Sequence, residues 1–316
     1  METLLLVDGN ALMHRAYHAL PAFKTKSGIY TNIIYGFFGM LHGAIEGFQP
    51  THVAIAFDTP AQTFRQKMHA AYQSQRPELG DDFKSQIPLL HELLDDAGIC
   101  RRQMDGFEAD DVIGTISRQA NEKNMRVLIL TGDKDIMQLV NKNTFVLSPQ
   151  TGVTKIKLYD EAAVKERLGV MPDKIPELKA LMGDPSDNYV GAKGIGPKTA
   201  IKLLEQFKTV ENMLAHTDQI EKPNIRAIIE AHVDDIRMSH DIATIRCDMD
   251  ITVNFDEAKF TGFPKKLENK LTHYEMKTLK HRLFDLPSTV SIAPVTTKKP
   301  EAKKKKEIGK DQIGLF

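Results

Sequence analysis

Three short apolar runs, each ending on an aspartate, constrain this chain more than any other feature. Leu4-Leu5-Leu6-Val7 leads into Asp8-Gly9-Asn10. His52-Val53-Ala54-Ile55-Ala56-Phe57 leads into Asp58, with Pro60 just beyond. Arg126-Val127-Leu128-Ile129-Leu130 leads into Thr131-Gly132-Asp133-Lys134-Asp135. Runs that are apolar at nearly every position read as strands buried on both faces, and the turn residues after them mark their ends. Helical patterns lie between the runs, over residues 10–20, 34–47, 83–97 and 109–123. This alternation predicts a mostly parallel α/β sheet flanked by helices. Ligands of such sheets bind outside the carboxyl ends of the strands, so folding gathers Asp8, Asp58 and Asp133 at one rim.

A second acidic group joins them. In Gly106-Phe107-Glu108-Ala109-Asp110-Asp111 three carboxylates directly precede an apolar stripe formed by Ala109, Val112, Ile113, Ile116 and Ala120. The stripe has helical spacing, which puts the acids in the first turn, where the helix dipole favours negative charge. A helix cap alone would account for this segment. Three strand-end acids in the same sheet point instead to a functional cluster. Crowded carboxylates repel one another unless cations are present, and an all-oxygen donor set suits Mg²⁺ or Mn²⁺. Zinc is disfavoured, because the 11 histidines and two cysteines show no ligand spacing.

Residues 61–104 form an insertion whose segments Phe64-Arg65-Gln66-Lys67 and Tyr72-Gln73-Ser74-Gln75-Arg76-Pro77 mix cations with an aromatic. Composition alone favours a solvated face; a phosphate contact with a stacking residue is the alternative. Residues 144–159 read as two short strands around Gln150-Thr151-Gly152. Asp160 is placed to cap a helix over 161–168, and 175–182 is a further helix. It leads into Gly183-Asp184-Pro185-Ser186-Asp187-Asn188, with two acids three apart. Gly191-Ala192-Lys193-Gly194-Ile195-Gly196-Pro197-Lys198-Thr199-Ala200 follows and opens another helix. The string lacks Walker spacing, and no strand precedes it as a dinucleotide fingerprint requires. It reads as a helix-hairpin-helix, whose exposed backbone N–H groups grip phosphates without reading bases.

The chain has 316 residues, enough for one large domain with a smaller appendage, and its formal net charge is zero. That charge is uneven. Residues 291–316 carry seven Lys against three acids, a net +4 that leaves −4 for the rest. Any nucleic-acid surface must therefore be local. The amino terminus is too short in apolar residues for a signal peptide, and no stretch reaches bilayer length. The expected location is cytoplasmic.

The motifs together resemble the bacterial 5′-nucleases, that is, the 5′–3′ exonuclease domain of DNA polymerase I and the stand-alone flap endonucleases. The resemblance spans roughly residues 3–285 and rests on Val7-Asp8-Gly9-Asn10, Arg15-Ala16-Tyr17-His18-Ala19, Phe57-Asp58, Thr63-Phe64-Arg65, Glu108-Ala109-Asp110-Asp111, Thr131-Gly132-Asp133-Lys134-Asp135, Met182-Gly183-Asp184-Pro185-Ser186-Asp187-Asn188 and Gly194-Ile195-Gly196-Pro197-Lys198-Thr199-Ala200. It implies a PIN-like 5′-nuclease fold, with a catalytic domain over 1–172 and a helical arch at 72–104. It further implies a helical subdomain over 173–287, with the helix-hairpin-helix at 183–214. A Lys-rich tail without structure over 288–316 follows from composition. By the same resemblance Asp8, Asp58, Glu108 and Asp110 serve one Mg²⁺ ion, with Mn²⁺ as substitute. Asp133, Asp135, Asp184 and Asp187 serve a second, and Asp111 bridges them or supports them from behind. Arg76 assists catalysis. Arg15, Arg65, Tyr72, Arg76, Lys193, Gly194, Gly196, Lys198 and Thr199 contact DNA, with a K⁺ ion at the hairpin. The chain departs from the family at Gln73, where a Lys usually stands.

The resemblance implies a monomeric, nucleoid-associated enzyme that cuts 5′ ends and 5′ flaps of DNA by two-metal catalysis, removing RNA primers and serving repair. A non-catalytic junction-binding protein of the same fold is the alternative, and the hairpin disfavours an RNA-degrading nuclease. The chain ends in Gln312-Ile313-Gly314-Leu315-Phe316. A Leu-Phe pair gains nothing in a disordered tail, so a partner groove is expected. The string resembles the peptide by which bacterial replication proteins bind the sliding clamp, through Gln312, Leu315 and Phe316.

Overall fold

All three apolar runs are strands, and their alternate residues feed two separate cores. The computed structural model describes residues 1–150, 155–285 and 291–293. One sheet has the order β3-β2-β1-β4-β5-β6-β7. Its strands are β1 (Thr3–Asp8), β2 (His52–Ala56), β3 (Cys100–Arg102), β4 (Arg126–Leu130), β5 (Thr144–Pro149), β6 (Lys155–Tyr159) and β7 (Ser291–Ala293). β1 pairs parallel with both β2 and β4, so the chain winds outward in opposite directions from β1. A crevice opens at such a reversal, beyond the carboxyl ends of the strands. β3 and β5 continue the parallel pairing, whereas β6 returns antiparallel to β5.

On one face, Leu5, Val7, Val53, Ile55, Leu128, Leu130 and Leu147 are buried. They are covered by α1 (Gly9–Ala19), α2 (Asn32–Phe48) and the insertion that follows β2. The insertion holds α3 (Phe64–Met68), α4 (Asp81–Lys84) and α5 (Gln86–Asp96). The other face buries Leu4, Leu6, Ala54, Ala56, Val127, Ile129 and Val146. It is covered by α6 (Ala109–Glu122), α7 (Glu161–Leu168), α8 (Ile175–Met182), α9 (Pro197–Phe207), α10 (Val210–Ala215), α11 (Pro223–Ala231) and α12 (Val233–Ala243). Burial of strands on both faces explains why they lack alternation in sequence. Asp160 caps α7 as expected, accepting from the Ala163 N–H at 2.8 Å.

The structure differs from expectation in three places. The range 72–104 does not stand free as an arch. Its second part is the crossover to β3, because Leu89, Leu90, Leu93 and Leu94 of α5 are buried in the core. Of this range only Tyr72, Gln73 and Arg76 line the crevice. Nor does the whole range 173–287 form one helical appendage. α13 (Lys265–His273) and α14 (Lys277–Phe284) carry Leu267, Leu271, Leu279 and Leu283 at helical spacing, and these pack into the core on the α1 and α2 face. Finally, Ser291–Ala293, in the tail expected to lack structure, pairs parallel with β6. The rest of that tail, with the terminal peptide, lies outside the described residues. Among the described residues no helix is long and apolar enough to cross a membrane.

Candidate active site and nucleic-acid interface

The crevice is a cleft of about 350 Å³ whose walls include Asp8, Asp58, Glu108, Asp110, Asp133, Asp135 and Asp187. An adjoining cleft of about 480 Å³ shares Asp133, Asp135 and Asp187 and adds Asp184 and Lys179. Eight of the nine predicted acids thus converge from five separate segments of the chain.

Each acid is fixed by local structure. Asp8 ends β1 and caps α1: one oxygen accepts from the Ala11 N–H at 2.9 Å, the other from the Thr131 hydroxyl at 2.7 Å. Asp58 accepts from the Ala109 N–H at 2.7 Å, which holds the start of α6 against the end of β2. Glu108 accepts from the hydroxyls of Thr63 at 3.3 Å and Tyr72 at 3.2 Å. Asp133 accepts from the Asp135 N–H at 2.8 Å, a tight turn that points both acids into the cleft.

Burial, with crowding added to it, raises their proton affinities. Burial, opposed by the two hydrogen bonds and increased by Asp133 and Asp58, pushes Asp8 up to about 7. Burial also pushes Glu108 up to about 7, despite Arg65 nearby. Asp110 is raised well above the ordinary range by burial and by Asp133, Asp8, Glu108 and Asp58. Asp58 is raised by desolvation too, although the residue as a whole is exposed at the cleft. A group of carboxyls this close together favours protons, or cations in their place.

Asp135, Asp184 and Asp187 each offer an oxygen within 4.8 Å of the others, a spacing that fits a hard cation held by oxygen alone. Here the acids are compensated. The ammonium of Lys179 on α8 donates to Asp135 and, at 2.5 Å, to Asp184. Arg76 donates to Asp187 at 2.6 Å. Burial pushes Asp184 up, but the hydrogen bonds from Lys179 and Ser186 outweigh it and hold the carboxyl below its usual range. For Asp135 burial prevails, to about 6, with Lys179 holding it back. Lys179 escaped the sequence reading. The available signal was a Lys near the carboxyl end of a helix whose following loop is acidic.

Asp111 lies behind the cleft, the second of its two expected positions, and Arg65, expected to contact DNA, is bound to it. Asp111 is fully buried and lines neither cleft. Its two oxygens take the Arg65 guanidinium at 2.7 and 2.9 Å, and they also accept from the N–H groups of Glu108 and Arg246. Arg65 is 2% exposed and donates further to the carbonyls of Ile242 at 2.8 Å and Thr244 at 3.0 Å. A buried charge must be paired in this way; Arg65 forms part of the cleft wall while its guanidinium holds Asp111. Tyr72 is largely buried, tilted against Tyr189, and lines the cleft beside Glu108. Arg15 donates to the Gln150 carbonyl. Arg76 keeps a half-exposed side chain at the mouth of the cleft. Gln73 also lines the cleft, with a left-handed φ of 57° and its N–H on the Asp187 carbonyl.

Between α8 and α9 the hairpin presents Lys193, Gly194, Gly196 and Lys198 to solvent, with Thr199 half-buried. Gly191 lets the loop lie on α8: a Cβ there would meet the Ala180 carbonyl oxygen at 2.5 Å. Gly194 turns with a φ of 105°, Ile195 anchors the loop in the core, and Gly196 and Pro197 start α9.

Comparison with known proteins agrees with this geometry. The family model described as 5′-3′ exonuclease, N-terminal resolvase-like domain, matches residues 3–169, and the 5′-3′ exonuclease C-terminal SAM fold matches 170–266. The chain belongs to the 5′-3′ exonuclease family. It is 38% identical over 284 residues to the 5′-3′ exonuclease of Aquifex aeolicus (strain VF5), covering 88% of this chain and 94% of that protein. To DNA polymerase I of Bacillus subtilis (strain 168) it is 38% identical over 265 residues, 84% of this chain but 30% of the polymerase. The chain therefore spans less than a third of that polymerase. Among solved structures, the flap endonuclease of bacteriophage T5 in a pseudo-enzyme–product complex with DNA and metal ions superposes with a TM-score of 0.64 at 18% identity, over 88% of this chain and 95% of that one. The catalytic core of Rad2 in complex with DNA substrate superposes with a TM-score of 0.52 at 19% identity, over 91% and 90%. At such identities the likeness is one of fold, and the fold shared with this exonuclease family is the 5′-nuclease fold.

Proposed function

We propose that this member of the 5′-3′ exonuclease family hydrolyses DNA phosphodiesters at 5′ ends and 5′ flaps with two bound divalent cations, Mg²⁺ by preference and Mn²⁺ as substitute. The observation that carries this is the convergence of eight carboxylates from five chain segments on one strand-end cleft. Asp8, Asp58, Glu108 and Asp110 would hold one cation and Asp135, Asp184 and Asp187 the other; Asp133, expected with the second, lines both clefts and is assigned to the first because only the other three converge to cation spacing. Such ions supply an activated water and stabilise the leaving oxygen. The chain's own residues do the rest. The β1, β2 and β4 ends and the α6 start hold the carboxylates rigid before substrate arrives, so little reorganisation accompanies reaction. Arg76 meets the scissile phosphate at the cleft mouth. The 69–80 segment borders the path of the single-stranded 5′ end, and the hairpin at Lys193–Thr199 holds the duplex backbone, with K⁺ as its proposed ion. The nick left behind suits primer removal and repair. The Gln312–Phe316 peptide is proposed to bring the enzyme, as a monomer near the nucleoid, to the sliding clamp.

Digestion of a 5′-labelled flap substrate tests this reading. Cleavage is expected with Mg²⁺ and none in excess chelator. Asp133→Asn is expected to abolish turnover while leaving DNA binding largely intact, because Asp133 belongs to the cleft and not to the hairpin. Full activity of that variant, or of the wild type in chelator, would overturn it. Metal-independent junction binding without cleavage would favour a purely binding protein.

A further inference from the structure

The two halves of the acidic cleft differ in how their charge is balanced. Among the described residues, Asp8, Asp58, Asp110 and Asp133 have no hydrogen bond or ion pair with Lys or Arg, and Glu108 has only a 3.4 Å contact with Arg65, whose shorter bonds go to Asp111. Asp135, Asp184 and Asp187, by contrast, carry two cations among three carboxylates. Arg76 is half-exposed and reaches Asp187 from the mouth. Lys179 is different: its side chain is 18% exposed and its ammonium sits between Asp135 and Asp184. Those are two of the three residues whose oxygens converge to a cation-sized spacing.

We propose that Lys179 is a resident counter-ion of the second cation position, which a divalent ion must displace before it can bind Asp135 and Asp184. This rests on the metal-dependent reading above and specifies how its second site is regulated. The physical reason is competition for the same lone pairs. A carboxylate oxygen that accepts a charge-assisted hydrogen bond at 2.5 Å is not open to a metal in that direction. The ammonium also cancels one of the three negative charges that would attract a cation. In its absence the three acids would repel one another across less than 5 Å, so Lys179 keeps the metal-free fold together while lowering the affinity of the site. The neighbouring group, with no such cation, is the one that binds first. Lys179 is thus a positioning residue that makes the two sites unequal.

Mn²⁺ binding to the full chain without DNA, followed by calorimetry and electron paramagnetic resonance, tests the proposal independently of turnover. The wild type is expected to bind one Mn²⁺ tightly and a second much more weakly. Lys179→Met, which keeps the apolar stem, and Lys179→Gln are expected to tighten the second site about tenfold or more. Both should also gain more in melting temperature on Mn²⁺ addition. Lys179→Arg, which keeps the charge, is expected to stay near the wild type. If either neutral variant folds and binds the second Mn²⁺ no better than the wild type, the role assigned to Lys179 is wrong. If none of the proteins binds Mn²⁺, the metal reading itself fails, and this proposal with it.

Discussion

At the scale of single residues, adjacent acids can have opposite fates. Asp110 and Asp111 are neighbours in the first turn of α6, yet one step along a helix rotates a side chain by about 100°. Asp110 faces the cleft and Asp111 faces Arg65. Asp111→Asn is therefore expected to destabilise the whole protein by about 3–5 kcal/mol, because it leaves the Arg65 guanidinium buried without its countercharge. Chemical denaturation measures this, and an unchanged unfolding midpoint would refute it. Asp110→Asn is expected to act in the other direction. A carboxyl whose value is raised on folding stabilises while protonated, and that contribution is lost as pH rises through the raised value. Asp8 and Glu108, raised from 3.8 and 4.5 to about 7, set the window from about pH 4 to about pH 7. The metal-free protein should lose melting temperature across that window, and Mg²⁺ should restore it at the upper end. Asp110→Asn should melt higher than the wild type at pH 8 without metal and should not cleave. A melting temperature of the metal-free wild type that is flat from pH 4 to 8 would count against the account.

Elements were legible in the sequence where burial is uniform and obscure where it is not. β1, β2 and β4 are apolar at nearly every position because both of their faces are covered. β3 is three residues long, and two of them are Arg, so no hydrophobic pattern could reveal it. The strand-end acids were legible because parallel topology alone brings strand termini to one rim. The pairing of Arg65 with Asp111 was not, since it also needs the carbonyls of Ile242 and Thr244, far along the chain. The hairpin was legible because glycines at a helix start have few other uses. Its role is tested at the start of α9: Lys198→Ala is expected to weaken duplex binding several-fold, about equally for all sequences. It should also reduce the slope of log affinity against log salt by about one contact. Binding isotherms at several salt concentrations would show it, and a loss confined to certain sequences would argue against phosphate contact.

For the whole molecule, catalysis and recruitment are expected to be separable. Deletion of residues 312–316 should abolish binding to the bacterial sliding clamp in a pull-down or by calorimetry. Cleavage of a short flap substrate without clamp should be unaffected, because the deleted residues are at the far end of a Lys-rich segment. Equal clamp binding by the truncated and full-length chains would end that assignment. The two family segments, 3–169 and 170–266, are a different case. The Arg65 guanidinium belongs to the first, yet two of its acceptors are main-chain carbonyls of the second, at the carboxyl end of α12. Main-chain acceptors are met by shape, not by residue identity, so sequence can drift at Ile242 and Thr244 while the backbone path there cannot. Recombination between distant relatives at the boundary near residue 170 would put each half's tolerance for drift against the other's geometry. Through these two bonds the segments, two modules by sequence, form one unit of geometry.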